Sequence, residues 1–467
     1  MEITDRKIIW GLIVLQLIVC LPFINSFPIA LDEPFSIFYA QQEIGEFIPF
    51  LNSGNNSPLY FIMLHFWIDL FGISATAVRS LSLIFSLITL FILFRISRKV
   101  LSLELSSLVS LLFIFSSFFH YHSMEARMYM LFSLFFLLII NEVFEIVFGS
   151  RRNLFFLVTF NVLLFYCHYL SLFVFASEII VLAYFYKSIR TKFKKIGLAA
   201  ILTIVLIAPG LMILYNRIAN AQPGESWVPE PEYSELYGNV IRFFNNKYSF
   251  LVILIIFLTA IFVNKIKLKE FIWSILSDKV IAFYACFFGV PYLLMFIFSF
   301  SGPPVFLDRY ILFTSLPLFL IVAHILKHTF KNLILYSVLI VIPMAITTEY
   351  KPDNNRSINL IVNEIKDKES NVDFFYISPP WLVNTFLYHY DIEEFKDYKN
   401  ENLQSVIQPL SSVEEIQKGE SIAILVSEEG WLTLAQIRNF AFRNKYVEDY
   451  SKTYNNVYHF LKFSKHD

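Results

Sequence analysis

The chain has 467 residues, 57% of them hydrophobic and only 16% charged, a balance outside that of soluble globular domains. Its formal net charge is −1, and no basic face interleaved with aromatics occurs, so the sequence gives no basis for nucleic-acid binding. Cys20, Cys167 and Cys286 all lie in apolar runs, without metal-ligand or redox spacing.

The first apolar run, 8–28, starts behind Arg6 and Lys7. That flank is shared with secretory leaders, but no small-residue cleavage site follows Phe27, and the run is read as a retained span. Asp32-Glu33 comes next, in LDEPFSIFYA. Adjacent carboxylates beside an apolar wall repel and desolvate one another, which raises a pKa and suits one of them to accept a proton. The competing structural role has Asp32 capping a helix, with Glu33 at its positive end and Pro34 in its first turn. Both roles can hold together. Pro58 to Phe71 is apolar but short for a crossing and carries His65 and Asp69, so it is expected to lie in the outer interface.

Spans are then expected at 75–95, 101–119 and 128–148. The turn HYHSMEARMYM, 120–130, packs His120, His122, Glu125 and Arg127 between the last two. Its two histidines are i, i+2 and would need non-helical geometry to share an ion. Further spans follow at 154–169, 171–186 and 196–214, with His168-Tyr169 at an outer end. The stretch from Asn216 to Lys247, rich in Pro and aromatics, is expected to be irregular and to cover or line a site. Spans at 248–264, 280–300, 310–326 and 332–349 complete eleven. Asp308-Arg309-Tyr310 opens the tenth, where the structural role is interfacial anchoring and the functional one is an anion contact by Arg309.

With the N-terminus inside, the inner loops hold eighteen Lys and Arg. The outer ones hold five: Arg127, Arg217, Arg242, Lys247 and Arg309. Positive residues mark the cytoplasmic side, and this asymmetry fixes the expected orientation of a multi-pass plasma-membrane protein. Residues 1–350 then form a transmembrane domain with a first outer loop at 29–74, and 351–467 lie outside the cytoplasm. There the pattern changes to strands such as VDFFYIS, IAILVS and VYHFLKF alternating with helices such as SINLIVNEIKDKES, WLVNTFLYHY and WLTLAQIRNFAFRN, a small α/β domain. A short helix is expected near SSVEEIQK, and isolated Gly419 and Gly430 read as turn residues rather than a phosphate loop.

Two carboxylates and two arginines on one side of a membrane suit glycosyl transfer from a lipid-phosphate carrier: a carboxylate activates a hydroxyl and guanidinium groups neutralise the departing phosphate. The apolar bulk can hold the carrier's tail. The ordered landmarks are Asp32-Glu33, NSPLYFIMLHFWIDLFG with AVRSLSL (56–85), MEARMYML (124–131), HYL (168–170) and PVFLDRY (304–310). Together they resemble the GT-C membrane glycosyltransferases, family 39 and its relatives: protein O-mannosyltransferases and lipid A aminoarabinose transferases, in their bacterial branch. The resemblance implies a polytopic helical GT-C fold and an inverting transferase using a polyprenyl-phosphate sugar. Asp32 would be the acceptor-side base with Glu33 as its partner, and Arg127 and Arg309 would contact the donor phosphate. Glu125, His168, Tyr169 and Tyr310 are accessory candidates. Where relatives carry His or Lys before the Pro-rich patch, this chain reads Asn55-Asn56-Ser57-Pro58.

Sugar and acceptor (protein, lipid or glycan) stay open, and no metal ligand set is explicit; a divalent ion has a place only between carboxylates and donor phosphate. A lipid-linked sugar flippase and a glycan polymerase or ligase are the competing functions. Against the flippase, no internal duplication is visible and the ionisable candidates sit at the outer boundary, not the midplane.

Overall fold

The computed structural model describes residues 2–465 except 54–55, 151–152, 221–227, 330–331, 354–355, 367–371, 397–406, 418, 429 and 431. Asn55, Arg151, Arg152, Lys331, the QPGESW run and the end of the first tail helix lie outside the described residues.

The helices are α1 Ile3–Cys20, α2 Glu33–Ala40, α3 Ile44–Ser53, α4 Pro58–Phe71, α5 Ala75–Ser97, α6 Leu103–Ile114, α7 Ser117–Ser123 and α8 Tyr129–Val147. They continue as α9 Phe155–Cys167, α10 Ser171–Tyr184, α11 Tyr186–Ile189, α12 Phe193–Asn220, α13 Tyr233–Phe243, α14 Lys247–Val263 and α15 Leu268–Ser277. Completing the apolar part are α16 Lys279–Phe298, α17 Asp308–Ile311, α18 Ser315–Thr329 and α19 Leu333–Thr347. The chain divides into two compact units. One comprises Met1–Ile24, Ile44–Trp67 and Ala77–Tyr350, and the other Asn25–Glu43, Ile68–Thr76 and Lys351–Asp467.

In the first unit every run read as a span contains a helix. Among the described residues six segments are long and apolar enough to cross a membrane, and eight if each of two bent pairs is one span. The bent pairs are α6–α7, at 63°, and α13–α14, at 74°. Helices α9, α10 and α19 have only 13, 14 and 15 residues. Outward faces are apolar: Leu198, Ile201, Leu202 and Val205 on α12 are all exposed, as expected where lipid is the solvent. Inside, polar groups pair with one another. Gln16 Nε2 donates to Ser86, whose hydroxyl meets Ser123 Oγ at 2.6 Å, and Asn161 Nδ2 donates to Glu178 at 3.1 Å.

Hydrogen bonds gather the segments into the two ends that loop charge foresees. At one end Arg98 meets Asp5 (3.1 Å), Lys99 meets Glu145, Lys192 donates to the Ile146 carbonyl (2.7 Å) and Lys327 to that of Val100 (3.2 Å). Each belongs to the predicted inner set. The other end is stitched by Asn245, which closes the α13–α14 bend with φ +71°. Its amide donates to the carbonyls of Phe115 and Met344 (2.9 and 3.0 Å), and its Oδ1 accepts from Ser117 N–H (2.8 Å). Both bends and the end of α19 thus share one side chain. The expectation of an irregular 216–247 stretch is corrected in part. Residues 233–243 are helical because, past Pro229 and Pro231, Glu235 in the first turn and Arg242 in the last complement the helix dipole.

Helices α9 and α12 cross at Gly210, where an added Cβ would lie 2.5 Å from the Phe165 ring; only glycine permits that approach.

In the second unit a five-stranded sheet of order β2-β1-β3-β5-β4 is built from β1 Phe374–Ser378, β2 Ile407–Pro409, β3 Ser421–Ser427, β4 Tyr446–Tyr454 and β5 Tyr458–Lys465. Strands β2, β1 and β3 are parallel, and β5 and β4 close the sheet antiparallel. Helices α20 Ile358–Lys366, α21 Leu382–Tyr390, α22 Ile392–Lys396 and α23 Leu434–Arg443 accompany it. The core joins Tyr376, Ile422, Ile424, Ile437 and Leu461. Thr433 and Gln436 form a reciprocal capping box at the start of α23. The short helix expected near SSVEEIQK is a single 3-10 turn, Val413–Glu415. Strand β4 was not foreseen, because YVEDYSKTY is an edge strand with one polar, exposed side and little apolar alternation.

Candidate active site

The site residues fall in both units. In the first, three arginines from separate elements surround His168. Arg127 sits in the Met124–Met128 turn between α7 and α8, Arg217 in the last turn of α12, and Arg309 in the four-residue α17. His168 follows the end of α9 in extended backbone, and its Nδ1 accepts from Leu170 N–H at 3.2 Å, which leaves Nε2 to carry the ring proton. The charges of Arg127, Arg309 and Arg217 all act on this ring, whose accepting Nδ1 marks the uncharged tautomer. His168 is therefore neutral, and the cluster's positive charge comes from the guanidinium groups.

Aromatic rings connect these side chains. His168 and Tyr310 are 5.4 Å apart edge to face, Tyr310 and Tyr129 6.4 Å, and Tyr129 and His122 4.9 Å. The phenols of Tyr169 and Tyr310 both act electrostatically on Arg217. The side chain of Tyr169 faces Ser57. Arg127, only 6% exposed, donates from Nη2 to Asn56 Oδ1 at 3.4 Å. Its carbonyl accepts from Ser82, which in turn meets the Tyr60 hydroxyl at 3.0 Å. The Asn56-Ser57 departure from the family pattern thus lies at the edge of the cluster.

Acidic groups nearby are turned to other partners. Glu125 is buried, in contact with His122 Nδ1 at 2.6 Å. His120 contacts Cys20 Sγ and the Tyr350 carbonyl (2.9 Å), so the two histidines of this turn serve separate partners rather than one ion. Asp308 accepts from Arg309 N–H at 2.7 Å and lies 3.9 Å from Arg242. Four of the five basic residues expected outside are thus at this one end. Three guanidinium groups whose charges all act on one neutral imidazole are suited to bind a phosphate-sized anion. Arg217 was missed as a site residue, although its place among the few outer cations was the signal for it.

Between the N-terminal halves of α9 and α12 lies an open apolar groove of about 810 Å³, lined by Val158, Val162, Leu163, Leu202 and Leu206 among others.

In the second unit Asp32 occupies the N-cap position of α2, but its side chain makes no capping bond; Ser36 N–H and Oγ go to its carbonyl instead (3.2 and 3.1 Å). The carboxylate is not used as a cap. Leu31, with φ +57°, holds the turn in a left-handed conformation that non-glycine residues adopt at a cost. Glu33 is buried in the first helical turn at the positive helix end. Loop 25–43 is fastened by His389 Nε2 to the Ile29 carbonyl at 2.7 Å and by Phe38 against Phe395. Residues 68–76 are held by Tyr388, whose hydroxyl donates to the Ile73 carbonyl at 2.9 Å.

No protein-family model and no curated protein matches the chain. Its fold is similar to the crystal structure of ArnT from Cupriavidus metallidurans in the apo state, with a TM-score of 0.62 and 9% identity over 98% of each chain. It is similar also to that protein bound to undecaprenyl phosphate, with a TM-score of 0.59 and 9% identity over 98% of this chain and 97% of the other. The chain has that polytopic GT-C fold, sheet domain included.

Proposed function

We propose that the chain is an inverting glycosyltransferase that moves a sugar from a polyprenyl-phosphate carrier to an extracytoplasmic acceptor. The arginine cluster around neutral His168 carries the reading. Breaking a sugar–phosphate bond leaves a phosphate with added negative charge, and Arg127, Arg217 and Arg309 supply preorganised cations in a low-dielectric setting, where such stabilisation is strongest. Undecaprenyl phosphate, the ligand of one ArnT structure, is the carrier class that fits. Its phosphate would sit among the guanidinium groups, with its tail running along α9 and α12 toward the open apolar groove between their N-terminal halves.

On the acceptor side, Asp32 takes the proton from a hydroxyl as that oxygen attacks the anomeric carbon from the face opposite the phosphate, and the carbon–phosphate-oxygen bond breaks with inversion. The left-handed Leu31, which sets the turn that carries Asp32, supports a carboxylate held for this task. Glu33, buried behind it, orients the turn.

The test is to reconstitute the purified chain in liposomes with a panel of polyprenyl-phosphate sugars and hydroxyl acceptors, following release of the carrier phosphate. Sugar transfer with carrier release is the expected result. Movement of the carrier across the bilayer without transfer would overturn the reading in favour of a flippase.

A further inference from the structure

A second polar cluster lies at the opposite end of the first unit. Asp278 is the N-cap of α16, and its Oδ1 accepts from Val280 and Ile281 N–H at 2.7 and 3.1 Å. The other oxygen, Oδ2, faces α18, where His324 Nε2 approaches to 3.1 Å and His328 Nε2 to 2.9 Å. These histidines are i, i+4, the spacing that places two imidazoles on one helix face. All three donor atoms lie within 4.8 Å of one another. Arg309 is nineteen residues before His328 on the same helical segment, a rise of about 28 Å, so this cluster is no part of the arginine site.

We propose that Asp278, His324 and His328 form a divalent transition-metal site, with zinc as the ion its donors suit best. Two imidazole nitrogens and one carboxylate oxygen are the ligand set of three-residue zinc sites that keep a fourth position for water. Hard cations such as Ca²⁺ and Mg²⁺ take oxygen ligands and are disfavoured by the imidazole pair. Tetrahedral zinc, with bonds of about 2.0–2.1 Å, holds its ligand atoms roughly 3.3 Å apart, so the two Asp278–histidine distances would open by a few tenths of an ångström while the two imidazole nitrogens, within 4.8 Å of each other, adjust to the same spacing. The capping bonds fix Asp278 through one oxygen and leave the other to ligate. Lys327, the nearby cation on α18, is directed away to the Val100 carbonyl. His324 is buried and His328 exposed, which gives the ion a path in from solvent. Bound there, the metal would clamp the α15–α16 corner to the end of α18.

The full chain, purified without a histidine tag and stripped with chelator, should take up one equivalent of Zn²⁺ added alone, measured by elemental analysis after desalting. Its thermal midpoint should rise with that equivalent, and Co²⁺ in its place should give the visible absorption of a four- or five-coordinate site. His328→Gln should weaken zinc at least about 100-fold, given that loss of mere supporting partners costs 10–100-fold. Asp278→Asn should weaken zinc at least about tenfold while keeping the helix cap, since Asn caps as well as Asp. Either loss, with the metal-free thermal midpoint retained, bears the proposal out. Substoichiometric zinc on the unmodified chain at micromolar free ion, or unchanged affinity in both variants, would leave the cluster as two hydrogen bonds to one carboxylate and overturn it.

Discussion

The cationic cluster and the acidic corner are built in opposite ways. Residues 127, 168, 217 and 309 come from four elements and meet only through the packing of long helices, with backbone ends as their anchors. Asp32 and Glu33 need just eight helical residues and one left-handed turn, fastened by α21. A leaving-group site has to surround an anion, which asks for donors from several directions. A base needs one oriented atom, which a local motif can provide. The two regions should therefore fail differently when damaged: the corner through turnover, the cluster through donor affinity.

The largest effect is expected for Asp32→Asn, which should lower kcat by about 10³-fold and leave carrier affinity within a factor of two or so, measured by turnover and carrier titration in nanodiscs. Full activity would break the contrast. Next come Arg127→Ala and Arg309→Ala, each weakening carrier binding by roughly 10–100-fold, the worth of a charge-assisted hydrogen bond. Arg217→Ala should fall at the lower end of that range; if it changed nothing, the cluster would shrink to the two arginines found from sequence. Gly210→Ala drives a methyl into the Phe165 ring and should cost about 1–3 kcal/mol, seen as a lowered thermal midpoint with Asp32 chemistry untouched.

Much of this was legible because lipid solvent leaves a coarse signature. Twenty-residue apolar runs and one-sided loop charge located the helices and sorted their ends, and the hydrogen bonds of Arg98, Lys192 and Lys327 follow that sorting. The scarcity of outer cations pointed to Arg127 and Arg309. Arg217 escaped because it closes a helix whose continuation looked like loop, and a last-turn arginine reads as a dipole partner. The pairing of Glu125 with His122 escaped because a buried turn looks like a solvated one when five of its residues are polar or charged. The Asp278 cluster was invisible for a different reason: its members are 46 residues apart, and a lone Asp before a helix looks like a cap, which it also is.

The short helices α9 and α10 bear on where the reaction sits in depth. Thirteen or fourteen residues rise about 20 Å, against hydrocarbon roughly 30 Å thick. A bilayer meeting them must thin by dimpling or leave His168 and its arginines sunken below the phosphate plane. Membrane thickness thus becomes a variable of the chemistry. Under the proposed function, short-chain lipids would set the guanidinium groups level with a carrier's phosphate, and thick, ordered ones would require the carrier to be drawn inward before transfer.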